Sequence, residues 1–239
     1  MHAPVPQLIP SDILLLGYRS GVFPMADTRD DPEIFWVEPK RRAIIPLDGF
    51  HCSHSLAKVL RQDRFTVTCN HAFDDVIAAC AAPRPGHPES WISERIAASY
   101  RALHMAGFAH SIECWRGDWL VGGLYGVGFD RVFCGESMFS LAPNSSKVAL
   151  AWLVAALKKG GAELLDCQFM TGHLASLGAI EISQDHYVEL LADAQVVPPD
   201  GVGDGDALPA GFAALLEGLG EGEGSSPGKL IAQSLTQTS

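Results

Sequence analysis

Two carboxylic acids and one amide lie in an otherwise apolar part of the sequence. Glu136 ends one apolar run, and Asp166 and Gln168 lie in a second run. An apolar segment at 147–159 connects the two. Polar groups in a protein interior cost free energy unless they are paired or used, so three of them around one connection indicate a site. A carboxylate there can accept a proton, and an amide oxygen can accept a hydrogen bond from a reacting group.

The spacing of Asp166 and Gln168 adds a geometric expectation. Residues two positions apart share one face of a strand, so Asp166 is expected to polarise or orient Gln168. A structural hydrogen bond at a strand end explains an isolated D-x-Q pair equally well. Glu136 has a similar alternative role, because a carboxylate after a glycine at a strand end can cap or orient the backbone.

The surrounding pattern predicts a strand, a crossover helix and a second strand. Polar residues at 144–146 are favourable N-caps for the helix at 147–159, and Gly160 and Gly161 are a favourable stop. The remaining pattern predicts a mixed α/β protein. Further helices are predicted at 11–20, 51–62, 73–81, 93–105 and 173–177, and strands at 65–68, 110–115, 120–127, 131–139 and 163–169.

Several short sequence words together resemble one known family. They are Gly21-Val22-Phe23-Pro24, Phe35-Trp36, Trp91-Ile92-Ser93, Ala109-His110-Ser111-Ile112-Glu113-Cys114-Trp115, Val121-Gly122-Gly123-Leu124-Tyr125-Gly126-Val127, Phe133-Cys134-Gly135-Glu136-Ser137-Met138-Phe139-Ser140, Leu165-Asp166-Cys167-Gln168 and Ala175-Ser176-Leu177-Gly178-Ala179. Each is weak alone, but in this order, over about 14–191, they resemble the leucyl/phenylalanyl-tRNA–protein transferase family.

This resemblance implies an enzyme that moves Leu or Phe from aminoacyl-tRNA to the N-terminus of a protein. The acceptor proteins begin with Lys or Arg, and the added residue marks them for degradation. The implied partners are therefore Leu-tRNA, Phe-tRNA and these acceptors, with no cofactor. The family also implies an acetyltransferase-like (GNAT-type) mixed sheet with crossover helices and a small N-terminal lobe.

The implied reaction requires positioning more than a strong base. Attack of an amine on an aminoacyl ester is exergonic, and holding both groups in attack geometry can contribute roughly 7–11 kcal/mol. The α-ammonium of the acceptor, with a reference pKa of about 7.7–8.0, must also lose a proton. The resemblance assigns catalysis to Asp166 and Gln168, with Gln168 positioning the amine. The proton leaves through water, the tRNA ribose or Asp166, and the sequence leaves these routes open.

The resemblance also implies residues that bind the substrates. Glu136 is a candidate partner for the aminoacyl-adenosine or for the basic acceptor terminus. Trp91 and Tyr100 are candidates for stacking on and placing the terminal adenosine, although Tyr100 is equally suited to core packing. Met25 stands where some family members carry a tryptophan that contacts the adenine, and Trp36 is a candidate replacement. The N-terminal lobe is expected to be shorter than in longer members.

An apolar pocket is expected for the donor side chain. Its candidate residues surround the crossover, and each is equally plausible as ordinary core: Leu124, Phe133, Leu150 and Leu165. An apolar pocket separates side chains that differ by one methylene by only about 1–3 kcal/mol. Some transfer of Met beside Leu and Phe is therefore expected.

The charge distribution allows only a small contact with tRNA. The net charge is −11, but residues 193–239 hold seven acidic residues and one lysine, so they account for −6 of it. Two groups of basic residues are candidates for contact with the tRNA backbone: Lys40, Arg41 and Arg42, and then Lys58, Arg61 and Arg64 on one face of a predicted helix. A solvated helix face is the alternative interpretation of the second group.

Composition and the family resemblance together divide the chain into three expected parts. They are a small N-terminal lobe at 1–50, an acyltransferase-like catalytic domain at 51–196, and a Gly-rich acidic tail at 197–239 that is expected to be disordered apart from a short helix at 210–219. No apolar run is long enough for a membrane span, and the N-terminus lacks a signal-peptide pattern. A cytoplasmic monomer is expected.

Other functions and sites are less well supported. The six cysteines form no C-x-x-C pair, which favours reduced thiols over disulfides or zinc. His51 and His54 lack nearby carboxylates, so no metal site is expected. An acyl-CoA N-acyltransferase would need a phosphate-binding glycine-rich loop before the crossover helix, and residues 141–146 contain no glycine. A non-catalytic aminoacyl-tRNA or degron-binding adaptor remains the second alternative.

Overall fold

The computed structural model describes residues 7–31, 33–83, 89–196, 206–220 and 226–236. The strands in these ranges are β1 (Phe23–Met25), β2 (Phe35–Val37), β3 (Arg41–Ile44), β4 (Thr66–Cys69), β5 (Ala109–Arg116), β6 (Trp119–Phe129), β7 (Val132–Ser140), β8 (Leu164–Gln168) and β9 (Ile180–Ser183). The helices are α1 (Ser11–Arg19), α2 (His54–Arg61), α3 (Phe73–Ala81), α4 (Glu94–Met105), α5 (Ser145–Lys159), α6 (Gly172–Ala175), α7 (Gln184–Ala194), α8 (Ala207–Gly220) and α9 (Pro227–Thr236).

Seven strands form one mixed sheet in the order β4-β5-β6-β7-β8-β3-β9. Neighbours run antiparallel except for β7 and β8, which are parallel and are joined through α5. The predicted strand–helix–strand crossover is therefore confirmed, as is the mixed α/β class. Strands β1 and β2 form a separate hairpin.

Each face of the sheet has its own apolar core. Helices α2 and α5 cover one face. Helices α3, α4 and α7 cover the other, and α1 packs on α4 in the same core. In helix α5 every residue from Ser145 to Leu157 except Lys147 is buried, because the sheet lies on one side and α8 on the other. A helix that is apolar all round needs such cover.

The expected boundary of the N-terminal lobe differs from the structure. Strand β3, within the predicted lobe 1–50, lies between β8 and β9 in the large sheet. Arg42 pairs with Ile182 of β9, and Ile44 pairs with Asp166 of β8. The segment around β3 thus belongs to the main body, and α1 with the β1–β2 hairpin makes up the rest of the predicted lobe.

The expectation of a disordered tail is wrong for the parts that the structure describes. Helix α8 packs on α5, where Phe212 lies against Trp152 with ring centroids 5.4 Å apart. A Cβ atom at Gly211 would overlap the carbonyl oxygen of Ala156, so glycine permits the close approach of these helices. Helix α9 packs on α2. Residues 197–205, 221–225 and 237–239 of the predicted tail lie outside the described residues.

No helix in the described ranges combines the length and apolar character needed to cross a membrane.

Candidate active site

A cavity opens where two parallel strands separate. Strands β7 and β8 pair only at Val132–Leu164, Phe133–Leu165 and Cys134–Asp166. Residues of both strands beyond these pairs line a cavity of about 610 Å³. Its apolar wall includes Leu124, Met138, Leu150, Leu153, Leu165 and Leu174. A chamber of this size and character can hold one large apolar side chain.

A β-bulge places Glu136 in this cavity. Tyr125 of β6 pairs with Ser137, whereas the next residue, Gly126, pairs with Gly135, so Glu136 is the extra residue of β7. Bulges commonly redirect a side chain beside an active site. Glu136 lines the cavity and is 8% exposed.

Three side chains donate hydrogen bonds to the Glu136 carboxylate. The hydroxyls of Tyr18 and Tyr100 lie 2.7 and 3.0 Å from Oε1 and Oε2, and Gln168 Nε2 lies 2.7 Å from Oε1. Burial and the charge of Glu136 raise the pKa of both phenols well above the ordinary value of 10.0. Both therefore remain donors at neutral pH.

Glu136 can change its protonation state near neutral pH. Burial, as the main cause, raises its pKa from the ordinary 4.5 to about 7. The hydrogen bonds from Tyr18, Tyr100 and Gln168 lower the pKa, and the negative charge of Asp166 raises it. A carboxyl group with such a pKa is suited to accepting a proton at physiological pH.

Gln168 has a backbone conformation that is uncommon for its residue type. Its φ is +62°, in the left-handed region, where a non-glycine residue is strained unless its surroundings fix it. Its backbone N–H donates to Asp166 Oδ1 at 2.8 Å. The side chain then reaches Glu136 through Nε2 and lines the cavity.

Asp166 is fully buried and forms an ion pair with Arg42. Arg42 Nε lies 2.9 Å from Oδ1 and Nη2 lies 2.5 Å from Oδ2. The hydroxyl of Tyr187 donates to Oδ2 at 3.0 Å. Asp166 is not among the residues that line the cavity. It therefore contacts Gln168 through the main chain, and the expected side-by-side arrangement of the two side chains on one strand face is not the one observed.

Six of the predicted binding residues and the predicted catalytic residue Gln168 meet in the cavity. They are Met25, Trp91, Leu124, Glu136, Leu150, Leu165 and Gln168. Phe133 is instead fully buried core. Tyr100 is also fully buried, so stacking on a base is wrong for it, and its hydroxyl serves Glu136. Trp36 lies outside the cavity wall, with its ring against Gly17, and so does not replace Met25 there.

The basic residues fall into two classes. Arg42 was expected to contact the tRNA backbone, but it is buried in the ion pair with Asp166, and this expectation is wrong. Arg41 is exposed and paired with Glu181 at 3.0 Å. The remaining candidates are exposed, although Arg64 lies beyond the end of α2: Lys40, Lys58, Arg61 and Arg64.

Sequence reasoning missed three aromatic residues around the site. Tyr18 and Tyr187 bind the two buried carboxylates. Phe169 lines the cavity, is 46% exposed and meets the edge of Phe23. A tyrosine within an apolar helix face is a usable signal, because a buried hydroxyl needs a partner.

The six cysteines are free thiols. In the ranges that the structure describes, His, Cys, Asp and Glu side chains form no group of three suited to a metal ion.

Comparisons with known proteins agree with this architecture. A family model described as leucyl/phenylalanyl-tRNA protein transferase matches residues 44–192, and one for the N-terminal domain of that transferase matches 9–40. A leucyl/phenylalanyl-tRNA–protein transferase of Novosphingobium aromaticivorans is 62% identical over 98% of both chains. One of Maricaulis maris is 50% identical over 95% of this chain and 96% of the relative. One of Rhodospirillum rubrum is 52% identical over 80% of this chain and 90% of the relative. The chain therefore belongs to the leucyl/phenylalanyl-tRNA protein transferase family.

Proposed function

We propose that this protein transfers Leu or Phe from aminoacyl-tRNA to the α-amino group of proteins that begin with Lys or Arg, which marks them for degradation. The observation that carries the proposal is the Glu136–Gln168 hydrogen bond at the polar end of an apolar cavity. An apolar chamber suits the donor side chain, and a carboxyl group with a pKa of about 7 suits an amine acceptor.

The apolar wall holds the donor amino acid. Leu124, Leu150 and Leu165 face the same cavity as Met138, so the donor side chain replaces water there with aliphatic contacts. Burial of a Leu or Phe side chain contributes about 1.5–3 kcal/mol. This places the ester carbonyl near the polar end. Trp91 and Met25, also in the cavity wall, are the proposed contacts of the terminal adenosine.

The polar end holds the acceptor amine. Gln168 donates Nε2 to Glu136, so its side-chain oxygen is the atom that accepts a hydrogen bond from the amine. The α-ammonium first loses one proton to solvent. The neutral amine nitrogen then attacks the ester carbonyl carbon, the bond to the ribose oxygen breaks, and the second proton ends on the ribose hydroxyl. Glu136, Asp166 and Gln168 are thus chemically unchanged at the end of the reaction. Asp166 acts by fixing the main chain of Gln168.

The parallel pair β7–β8 supports an acetyltransferase-like (GNAT-type) fold. The strands are joined through α5, begin as neighbours and then part around the cavity. A gap between parallel strands under a crossover helix lets an acyl donor and an amine enter from opposite sides. We extend the proposal to this fold.

The acceptor needs a carboxylate to attract its cationic first residue. Glu136 is a carboxyl group of the cavity wall, whereas Asp166 is neutralised by Arg42. Glu136 is therefore the proposed contact of the N-terminal Lys or Arg. A monomer acting in the cytoplasm, where aminoacyl-tRNA and nascent proteins are present, fits this activity.

Incubation of the purified full-length protein with radiolabelled Leu-tRNA and a peptide that starts with Arg tests the function. Label should move to the peptide. A parallel reaction with labelled acetyl-CoA should give no product, and transfer from acetyl-CoA alone would favour an acyl-CoA N-acyltransferase. Binding of Leu-tRNA without transfer to any peptide would favour a non-catalytic adaptor.

A further inference from the structure

We propose that Arg42 is a positioning residue for the transfer reaction: its buried guanidinium holds Asp166, which fixes the main chain of Gln168 and thereby its side chain against Glu136. The inference rests on the proposed function of Gln168 and Glu136. It assigns to Arg42 a role inside the protein in place of a contact with tRNA.

The contacts of Arg42 leave its guanidinium no freedom to reach a nucleic acid. Arg42 is 0% exposed. Nε and Nη2 bind Asp166, and Nη1 donates to the carbonyl oxygen of Gly21 at 3.0 Å. The guanidinium also lies between two rings, 4.8 Å from the centroid of Phe23 and 4.2 Å from that of Tyr187. Such two-sided stacking suits the planar guanidinium and not an ammonium group.

These contacts join three parts of the chain at one point. Gly21 and Phe23 follow α1, Tyr187 lies on α7, and Asp166 lies on β8. Arg42 therefore determines where Asp166 sits relative to the rest of the fold. A buried charge pair fixed by several hydrogen bonds resists displacement, because breaking it leaves one charge unpaired.

Asp166 passes this constraint to Gln168. Its Oδ1 accepts both from Arg42 Nε and from the backbone N–H of Gln168. The left-handed conformation of Gln168 is strained, and the hydrogen bond to a fixed carboxylate compensates for that strain. Without the hydrogen bond to Asp166, the turn at Gln168 relaxes and Nε2 loses its hydrogen bond to Glu136. Small displacements of a positioned group are costly for catalysis.

Arg42 also bears indirectly on the pKa of Glu136, through its ion pair with Asp166. The ionisable groups that act on Glu136 come from five elements: Tyr18, Tyr100, Tyr125, Cys134 and Asp166. Among them, Asp166 raises the pKa of Glu136 through its negative charge. Arg42 compensates that charge. Without Arg42, the negative charge of Asp166 is no longer compensated and raises the pKa of Glu136 further. Glu136 then loses its proton, as transfer requires, only at a higher pH.

The test is the pH dependence of Leu transfer by the full-length protein, from about pH 5.5 to 8.5, a range that spans the reference pKa of the acceptor amine. Arg42→Met is expected to lower kcat at neutral pH by at least about tenfold and to change KM for Leu-tRNA by less than about threefold. The acid limb of its pH–rate profile, where the rate rises with increasing pH, should move to higher pH. In the double variant Arg42→Met/Asp166→Asn, the limb should return to the wild-type position or below.

Arg42→Lys keeps the positive charge but loses the forked contact. It is expected to lower kcat with little movement of the acid limb, and it carries the test if Arg42→Met does not fold. The matched control is Arg116→Met, an exposed arginine at the end of strand β5 and outside the candidate tRNA contacts, which should change neither kcat nor the limb.

The opposite results would overturn the inference. A raised KM with a reduced salt dependence and unchanged kcat in Arg42→Met would show a contact with tRNA phosphates. Wild-type kcat in Arg42→Lys, or an acid limb that does not move in folded Arg42→Met, would show that Arg42 positions nothing. Failure of the wild-type protein to transfer Leu at all would instead refute the proposed function.

Discussion

Glu136 of β7 and Gln168 of β8 lie beyond the last paired residues of these two strands. Gln168 Nε2 nevertheless lies 2.7 Å from Glu136 Oε1. This one hydrogen bond spans the gap between β7 and β8. It also fixes which end of the Gln168 amide faces Glu136, and so which atom is left for the acceptor amine.

The first prediction concerns pH. Because burial raises the pKa of Glu136 to about 7, transfer by the wild-type protein should rise as pH increases through that value and the carboxylate forms. Glu136→Gln should lose this limb. The acceptor amine titrates in both proteins, so the ratio of wild-type to variant rate isolates Glu136. A ratio that falls with rising pH would show that the protonated acid is the active form.

The same pKa shift predicts an effect on stability. A raised pKa in the folded protein means that the charged form is disfavoured there, so its cost is absent below the ordinary value of 4.5 and complete above about 7. Between these values, the stability of the wild-type protein should fall relative to Glu136→Gln as pH rises. Urea unfolding of both proteins at several pH values measures it, and parallel curves would contradict it.

The second prediction concerns acceptor choice. Glu136→Gln should reduce the preference for a peptide that starts with Arg over one that starts with norleucine. Asp166→Asn should leave the preference intact, because Asp166 is buried beside Arg42. Competition between the two peptides, scored by mass spectrometry, measures the ratio. If both variants keep the wild-type ratio, another group binds the cation.

The third prediction concerns Asp166. Asp166→Ala should lower transfer at least tenfold, about 1.4 kcal/mol of transition-state stabilisation, while Leu-tRNA binding stays within a few-fold. It should also destabilise the fold by about 3–5 kcal/mol, because Arg42 is left buried and unpaired. Single-turnover kinetics and urea unfolding separate the two effects. Unchanged turnover in the folded variant would contradict the positioning role of Asp166.

The fourth prediction concerns the contact between α5 and α8. Gly211→Ala should destabilise the protein, since its Cβ would overlap the carbonyl oxygen of Ala156. Gly218→Ala is the matched control, because nothing lies near its added Cβ, and it should stabilise α8 by up to about 1 kcal/mol.

Deletion of 200–239 should also destabilise the protein, in contrast to what the acidic composition suggests. Equal thermal midpoints for all variants would show that α8 does not dock.

The fifth prediction concerns tRNA. Lys58 and Arg61 are exposed on α2, and neutralising both with Gln should raise KM for Leu-tRNA and reduce its salt dependence by about one unit of slope per lost phosphate contact. Lys159→Gln, an exposed change at the end of α5, is the control. An unchanged salt slope in the double variant would place the tRNA backbone elsewhere.

Local pattern was sufficient for the crossover that builds the site. The run 147–159, its polar start and its double glycine predicted α5, and the flanking apolar segments predicted β7 and β8. These signals lie within one continuous stretch of about 40 residues, where periodicity and capping preferences act directly. Glu136, Asp166 and Gln168 followed as candidates because they are polar residues inside that pattern.

Long-range pairing explains what the sequence left undetermined. Strand β3 is only four residues long and begins with two arginines, so its composition indicated a surface. The partner that makes Arg42 a core residue lies 124 positions away. The bulge at Glu136 and the left-handed turn at Gln168 are likewise set by neighbouring strands. In α8, Gly211, one of the glycines that suggested disorder, permits close helix packing.

The position of β3 has a consequence for synthesis on the ribosome. Arg42 emerges 124 residues before Asp166, which at about 5–20 residues per second is a wait of roughly 6 to 25 s. During that interval β3 has neither of its two neighbours in the sheet. A nascent or truncated chain that ends before β8 therefore lacks the Asp166 contact altogether, and the catalytic turn assembles only when most of the chain has been made.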